Sequence, residues 1–183
     1  MQADVVLKEI EELSMRRYYP IIGPGRGRYL AGAVRTYGIK SVLEVGTCIG
    51  YSAILIAKNL PDDGRVATIE IDPYTARLAE ANIRKAGLSG KVEILVGDAA
   101  EILPTLSGEF DMVFLDTAHH ELLDYIEECE RMLKKGGVVF TDNVKYFAYT
   151  MRDFLDYIRN SGKYSSQYID AGHDGVEVSI KLF

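Results

Sequence analysis

Three side chains with oxygen donors stand at the ends of two apolar, β-branched runs. "FDMVFLD" ends in Asp116, and "GGVVFTDN" ends in Asp142 and Asn143. If the runs are adjacent strands pointing the same way, both ends open onto the crevice where α/β sheets bind ligands. Three oxygen donors from two strand tips suit Mg²⁺ or Ca²⁺, whose remaining positions go to water and substrate oxygens. Each acid alone could equally cap a helix; the convergence of all three is what favours a metal.

A second group surrounds "VLEVGTCIGYS", an apolar run, a turn with Gly46 and Gly50, and a helix opening near Tyr51. Glycines there allow positive φ and close approach of a ligand to the backbone, and the helix offers free N–H groups. The spacing is GxxxG rather than the dinucleotide GxGxxG. Glu44 lies inside this run, and Glu70 closes the next one in "ATIEID". An acid at the tip of the second strand is where such sheets hydrogen-bond ribose hydroxyls, which points to a ligand containing adenosine. Asp98, in "VGDAAEIL", can face an adenine amino group or cap the helix that starts at Ala99. The two roles are compatible.

Two of the three histidines follow Asp116 in "FLDTAHH". His119 could accept a proton near neutrality, with an unperturbed imidazole pKa of about 6.5. It could also ligate a metal or stay inert. His120 reads as the residue that opens the next helix, and His173 as an exposed turn residue in "AGHDG". Lys145, just past the Asp142–Asn143 pair, could face the site or solvent. Cys48 sits in the glycine turn without a paired histidine, so it is a poor candidate nucleophile.

These residues need a scaffold, and the hydrophobic period supplies one. Val6, Ile10, Leu13 and Arg17 recur at helical spacing, as do Leu30, Ala33, Val34 and Tyr37, so two helices are expected within 1–38. From residue 41 short β-branched runs alternate with longer helical patterns: "SVLEV", "SAILIAKNL", "RVATIEI", "PYTARLAEANIRKAG", "KVEILVG", "FDMVFLD", "HELLDYIEECERMLKKGG", "VVFTDN". That order predicts a parallel sheet with helices on both faces. Pro73 suits a first helical turn, while Gly87 and Gly136-Gly137 stand where helices should stop. A last helix is expected around 148–161, then two alternating strands joined by "GHDG" as an antiparallel hairpin at the sheet edge.

The chain has 183 residues, 48% hydrophobic, and reads as one domain, 1–183, with the core at 41–183. With 21 basic and 27 acidic residues the net charge is −6. Nothing global attracts it to phosphate backbones or anionic membranes, so nucleic acid is disfavoured and no membrane is expected. The two cysteines form no CxxC pair, which fits a reducing, cytoplasmic setting. The first residues lack a signal peptide's apolar centre, and no apolar run approaches the ~18 residues of a membrane span.

Taken together, the sequence resembles the S-adenosylmethionine-dependent, metal-dependent O-methyltransferases of the catechol and caffeoyl-CoA type, from about residue 20 to the C-terminus. "VLEVGTCIGYSAI" is similar to that family's first motif, "IEIDPYTARLAEANI" to its second, and "FDMVFLD" with "TDNV" to its metal-binding pair. The resemblance implies a Rossmann-like class I methyltransferase fold: a seven-stranded, mostly parallel sheet with an antiparallel C-terminal hairpin strand and helices on both faces. It implies that Glu44, Gly46, Gly50 and Ser52 line the methionine part of S-adenosylmethionine. Glu70 would hold the ribose, Asp98 and Ala99 would flank the adenine, and Ile22, Ile71 and Asp116 would add contacts. Asp116, Asp142 and Asn143 would hold a divalent metal, Mg²⁺ by expectation. The implied reaction moves the sulfonium methyl to a hydroxyl of a small catechol-like or vicinal-diol acceptor with adjacent oxygens. A homodimer is expected.

Two departures from the family stand out. The family's candidate base, a lysine three residues after the first metal aspartate, is replaced by His119; Lys145 is the other candidate catalytic residue. The segment after "DNV" runs through "KYFAYTMRDFLDYI" almost directly into a helix, so the acceptor site is either more open or completed by a second subunit. Tyr146, Phe147, Tyr149 and the Tyr18-Tyr19 pair could wall an aromatic acceptor or pack as core. Two other readings keep a nucleotide ligand: methylation of an RNA nucleoside through a basic patch of Arg16, Arg17, Arg26 and Arg28, and a non-methyltransferase nucleotide-binding Rossmann protein.

Overall fold

The computed structural model describes residues 2–117 and 119–183. Helices α1 (Gln2–Arg17) and α2 (Gly23–Thr36) precede β1 (Ser41–Val45). Then come α3 (Tyr51–Ala57), β2 (Arg65–Glu70), α4 (Pro73–Lys85), β3 (Val92–Val96), the short α5 (Ala99–Ile102) and β4 (Phe110–Leu115). The chain closes with α6 (Leu122–Glu130), β5 (Leu133–Thr141), α7 (Arg152–Asn160), β6 (Tyr164–Asp170) and β7 (Gly175–Lys181). The seven strands form one sheet in the order β3-β2-β1-β4-β5-β7-β6. β1 to β5 pair in parallel, and β7 runs antiparallel between β5 and β6. The strand order reverses between β1 and β4, which stay paired to their carboxyl ends at Val45 and Leu115, and the loops that leave them turn to opposite faces of the sheet and bound a crevice.

Alternate residues of the central strands feed two separate cores, as a two-residue side-chain period requires. Val42, Met112, Phe114, Val138 and Phe140 pack with α1, α2, α3 and α4 on one face. Leu43, Val45, Val113, Leu115 and Val139 pack with α5, α6 and α7 on the other. Phe114 and Phe140 are fully buried and meet edge to face at 5.7 Å across the β4–β5 pair. Each such ring contributes about 2–3 kcal/mol by burial alone. This double burial holds the tips of β4 and β5 rigidly side by side, so that Asp116 and Asp142 share one end of the sheet.

The structure differs from the sequence expectation in two places. The helical pattern after His120 extends in sequence to Gly136-Gly137, but α6 ends at Glu130. Leu133 continues the helical period of Leu122, Ile126 and Cys129, yet it pairs with Phe110 and begins β5. The register then shifts, Met112 pairing with Val138, and residues 134–137 form the irregularity. Gly136, at φ +77°, serves that bulge rather than a helix end. The last helix also begins later than 148: residues 144–151 are hydrogen-bonded turns, and α7 starts at Arg152. Among the described residues no helix is long and apolar enough to cross a membrane.

Candidate active site

A cavity of about 630 Å³ opens beyond the carboxyl ends of β1, β2, β4 and β5. That volume lies in the ordinary range for small-molecule sites. Val45 and Gly46 from β1, Ile69 and Glu70 from β2, Asp116 after β4 and Asp142 after β5 form its floor. Residues 19–22, from the lead into α2, and Arg26, in the first turn of α2, close it from the other side.

Gly46 is where the crevice demands glycine. Its φ is +103°, and a Cβ there would stand 2.0 Å from the carbonyl oxygen of Asp116. Any side chain would push the tips of β1 and β4 apart. Three non-glycine residues among those described also have positive φ, namely Tyr18, Cys48 and Asn143. Cys48 and Asn143 line the cavity, and Tyr18 adjoins Tyr19, which does too. Backbone strain is thus gathered around this one site, a pattern typical of functional sites.

The acids at the tip of β2 and after β3 each hold backbone and keep acceptor capacity. Glu70 Oε2 accepts from Cys48 N at 2.8 Å and Oε1 from Asp72 N at 3.0 Å, fixing the glycine turn against β2. A carboxylate has about four acceptor directions, so Glu70 can still receive hydroxyls from the cavity. Asp98 Oδ1 accepts from Ala100 N at 2.9 Å and caps α5, while the residue also lines the cavity. Both of its sequence readings are geometrically compatible. Ile22, Ser52, Ile71 and Ala99 lie on the wall as well.

At the other end Asp116, Asp142 and Asn143 come together on the wall with His119 and Phe147. Burial raises the Asp116 carboxyl well above the usual range, and the charges of Asp142 and Glu44 raise it further. Asp142 is likewise raised by burial, against the pull of Arg26. Arg26 Nε donates to Asp142 Oδ1 at 2.5 Å, whereas Asp142 Oδ2 is buried with no hydrogen-bond partner. A buried carboxylate oxygen left alone costs stability, and a cation would supply what it lacks. Two carboxylates and an amide oxygen are the donor set of a hard divalent cation, so the residues present fit the implied metal. Among the described residues no three His, Cys, Asp or Glu side chains gather as a ligand cluster, so His119 is not drawn in with the two aspartates.

His119 stacks on Phe147, with ring centroids 3.8 Å apart and planes 20° from parallel. Burial lowers its pKa, Asp174 counteracting and His120 adding to the fall, so the ring is neutral at pH 7. Its Nε2 is buried without a partner. His120, by contrast, is exposed beside Glu121.

Several expected contacts are not brought to the cavity wall. Lys145 turns away: its Nζ donates to the Gly172 carbonyl at 3.0 Å and lies 3.8 Å from Asp170, because the residue belongs to a turn braced by the β6–β7 connection. Gly50, at φ +86°, instead lets α3 meet α4, since a Cβ there would lie 3.3 Å from Ala79 Cα. Glu44 is fully buried beneath the wall, neither carboxylate oxygen having a partner of normal hydrogen-bond geometry. Burial pushes it up to about 7, the Ser52 and Thr68 hydroxyls offsetting part of the rise and Glu70 adding to it. Of the aromatic candidates Tyr19 and Phe147 line the cavity, while Tyr18, Tyr146 and Tyr149 are exposed. Cys48 lines it too, with its thiol pushed up to about 11 by burial, which makes it a poor nucleophile.

Two residues at the site carried no sequence signal of their role. Arg26 is spent on Asp142 rather than on a surface patch. Asp174, in the hairpin turn, accepts from Asn143 Nδ2 at 2.8 Å. Each acts across a large sequence separation that no local motif encodes.

A family model described as O-methyltransferase matches residues 1–159. The chain is 38% identical over 127 residues to a catechol O-methyltransferase of Niastella koreensis, covering 67% of this chain and 58% of that protein. It is 34% identical over 173 residues to that of Mus musculus, covering 87% and 64%. The chain therefore spans less than two thirds of the length of these relatives. Two solved structures superpose on nearly all of it. One is an O-methyltransferase from Bacillus cereus in complex with SAH, with TM-score 0.87 and 26% identity over 97% of this chain and 90% of that one. The other is TomG from Streptomyces achromogenes in complex with SAM, with TM-score 0.88 and 27% identity over the same shares. Since the family match runs unbroken from the first helix through every parallel strand of β1 to β5, the chain belongs to the O-methyltransferase family.

Proposed function

We propose that this protein is an S-adenosylmethionine-dependent O-methyltransferase that methylates one hydroxyl of a small acceptor with two adjacent oxygens, catechol-like in shape, with help from a divalent metal such as Mg²⁺. The observation that carries the metal is the buried, partnerless Oδ2 of Asp142 beside the raised carboxyl of Asp116. For the cofactor, the support is the cavity that joins those acids to Glu70 and Asp98, together with the SAM- and SAH-bound relatives.

In this reading Glu70 accepts the ribose hydroxyls, Asp98 and Ala99 flank the base, and Gly46 and Ser52 border the methionine end. Asp116, Asp142 and Asn143 would hold the metal, and when bound it would supply positive charge that lowers the pKa of a neighbouring acceptor hydroxyl. His119, neutral at pH 7 and with a free nitrogen, takes the proton of that hydroxyl. The acceptor oxygen then bonds to the methyl carbon as the carbon–sulfur bond breaks, and the sulfonium becomes a thioether. Phe147 stacks behind His119 and fixes its ring plane. With Tyr19 it offers an apolar wall suited to an aromatic acceptor.

Charge favours a small acceptor over RNA, because Arg26 is removed from any basic patch by its bond to Asp142. The test is to incubate the protein with S-adenosylmethionine, Mg²⁺ and catechol and look for the monomethyl ether by mass spectrometry. S-adenosylhomocysteine and NAD are titrated in parallel. Methyl ether and tighter binding of S-adenosylhomocysteine support the reading; tighter binding of NAD overturns it.

A further inference from the structure

We propose that Asp174 is a positioning residue that aims the Asn143 amide oxygen at the divalent cation. This rests on the metal reading given above. Asn143 lies at the tip of β5 in a left-handed conformation, φ +60°, which costs energy unless its surroundings enforce it. The enforcement comes from the β6–β7 connection. Asp174 Oδ1 accepts from Lys145 N at 3.1 Å, Tyr146 N at 3.0 Å and Gly175 N at 2.7 Å, and Val144 N donates to the Gly175 carbonyl at 3.1 Å. That leaves Asp174 Oδ2 to receive Asn143 Nδ2 at 2.8 Å.

The consequence is chemical. The two ends of an amide differ little in shape, and only the oxygen can bind a cation. A carboxylate accepts and cannot donate, so Asp174 selects the orientation in which Asn143 gives it the NH₂ and keeps Oδ1 for the site. Asp174 is only 6% exposed, and with four N–H donors it remains ionised despite its burial. Its position is set by backbone from both sides of the turn, so the preference is built into the fold. Outer partners of this kind typically change metal affinity by about 10–100-fold.

The discriminating substitution is D174N. An amide there can still accept from the three backbone donors through its oxygen, but its own NH₂ faces Asn143, and two donors cannot pair. Asn143 flips and turns its NH₂ toward the cation. Mn²⁺ binding to the cofactor-free protein, followed by the loss of the free-ion electron paramagnetic resonance signal, should weaken by about 10–100-fold. S-adenosylhomocysteine affinity should not change. The reciprocal swap D174N/N143D restores a matched donor and acceptor and gives the cation a carboxylate oxygen, so it should recover Mn²⁺ binding even if D174N alone folds poorly.

Wild-type Mn²⁺ affinity in D174N, or a swap that fails to recover binding, overturns the assignment while leaving the metal reading intact. A wild-type protein that binds no Mn²⁺ overturns both.

Discussion

At the scale of single residues, the proposed reaction gives His119 the part of general base, at the position where the related O-methyltransferases are expected to carry lysine. Burial lowers its pKa, so the neutral, proton-accepting form persists below the ordinary pKa of about 6.5. The acidic limb of kcat/KM attributable to this group should therefore fall below pH 6.5. His119→Gln should cost about 10²–10⁴ in kcat, the usual worth of a general base, with little change in S-adenosylhomocysteine affinity. His119→Lys should restore activity with the limb moved upward; steady-state pH profiles of the three proteins check this. Glu44 gives a second prediction. Its pKa rises from the usual 4.5 to about 7 in the folded state, so its contribution to stability is full below pH 4.5 and is lost as pH rises through about 7. A rise of that size corresponds to roughly 3 kcal/mol. Without cofactor, Glu44→Gln should be more stable than wild type by about that amount at pH 8 and nearly equal to it at pH 4.5. Urea denaturation at the two pH values measures it.

At the scale of elements, the parts of the site legible in the sequence are those that sit at strand tips. Asp116, Asp142 and Asn143 follow largely apolar runs, Glu70 closes the second strand and Asp98 follows the third, so the strand pattern and the next helix locate them. Arg26 was not legible: it lies 116 residues from Asp142 along the chain, and its basic neighbours suggest a surface patch. Asp174 was not legible because "GHDG" reads fully as turn chemistry. The end of α6 is hidden in the sequence because Leu133 satisfies a helical period while its partner is Phe110 across the sheet. The glycine turn is the element most exposed to test. Gly46→Ala must place a Cβ 2.0 Å from Asp116 O at φ +103°, and should cost at least about 2 kcal/mol while abolishing S-adenosylhomocysteine binding. Gly90→Ala, where a Cβ meets nothing within 4 Å, serves as control in thermal melts and cofactor titrations.

At the scale of the whole molecule, the site draws on segments from both ends of the chain. The lead into α2 and its first turn bring Tyr19, Ile22 and Arg26, and the β6–β7 turn brings Asp174, both onto a sheet whose central strands supply the acids. Tyr51 donates to Glu11 at 2.6 Å and ties α1 to α3 at the back of the cavity wall. Ligands that bind such a site should stabilise the entire fold. At 100 times their dissociation constants, each should add about 2.7 kcal/mol, or roughly 5–10 °C in melting temperature for a chain of this size. The Mg²⁺ part of that gain should be larger at pH 8 than at pH 5, because protons compete for the raised carboxyls of Asp116 and Asp142. Differential scanning calorimetry at both pH values reads the difference.

The central claim, that Asp116, Asp142 and Asn143 hold a metal which assists methyl transfer from S-adenosylmethionine, meets its most direct test in a single assay. Methyl-labelled S-adenosylmethionine and catechol are mixed with chelator-treated protein, and label in the catechol ether is counted before and after Mg²⁺ is added. Transfer should be negligible with chelator and should recover on adding Mg²⁺, with no recovery in Asp142→Ala. Equal transfer with and without the metal, or none in either, would contradict it.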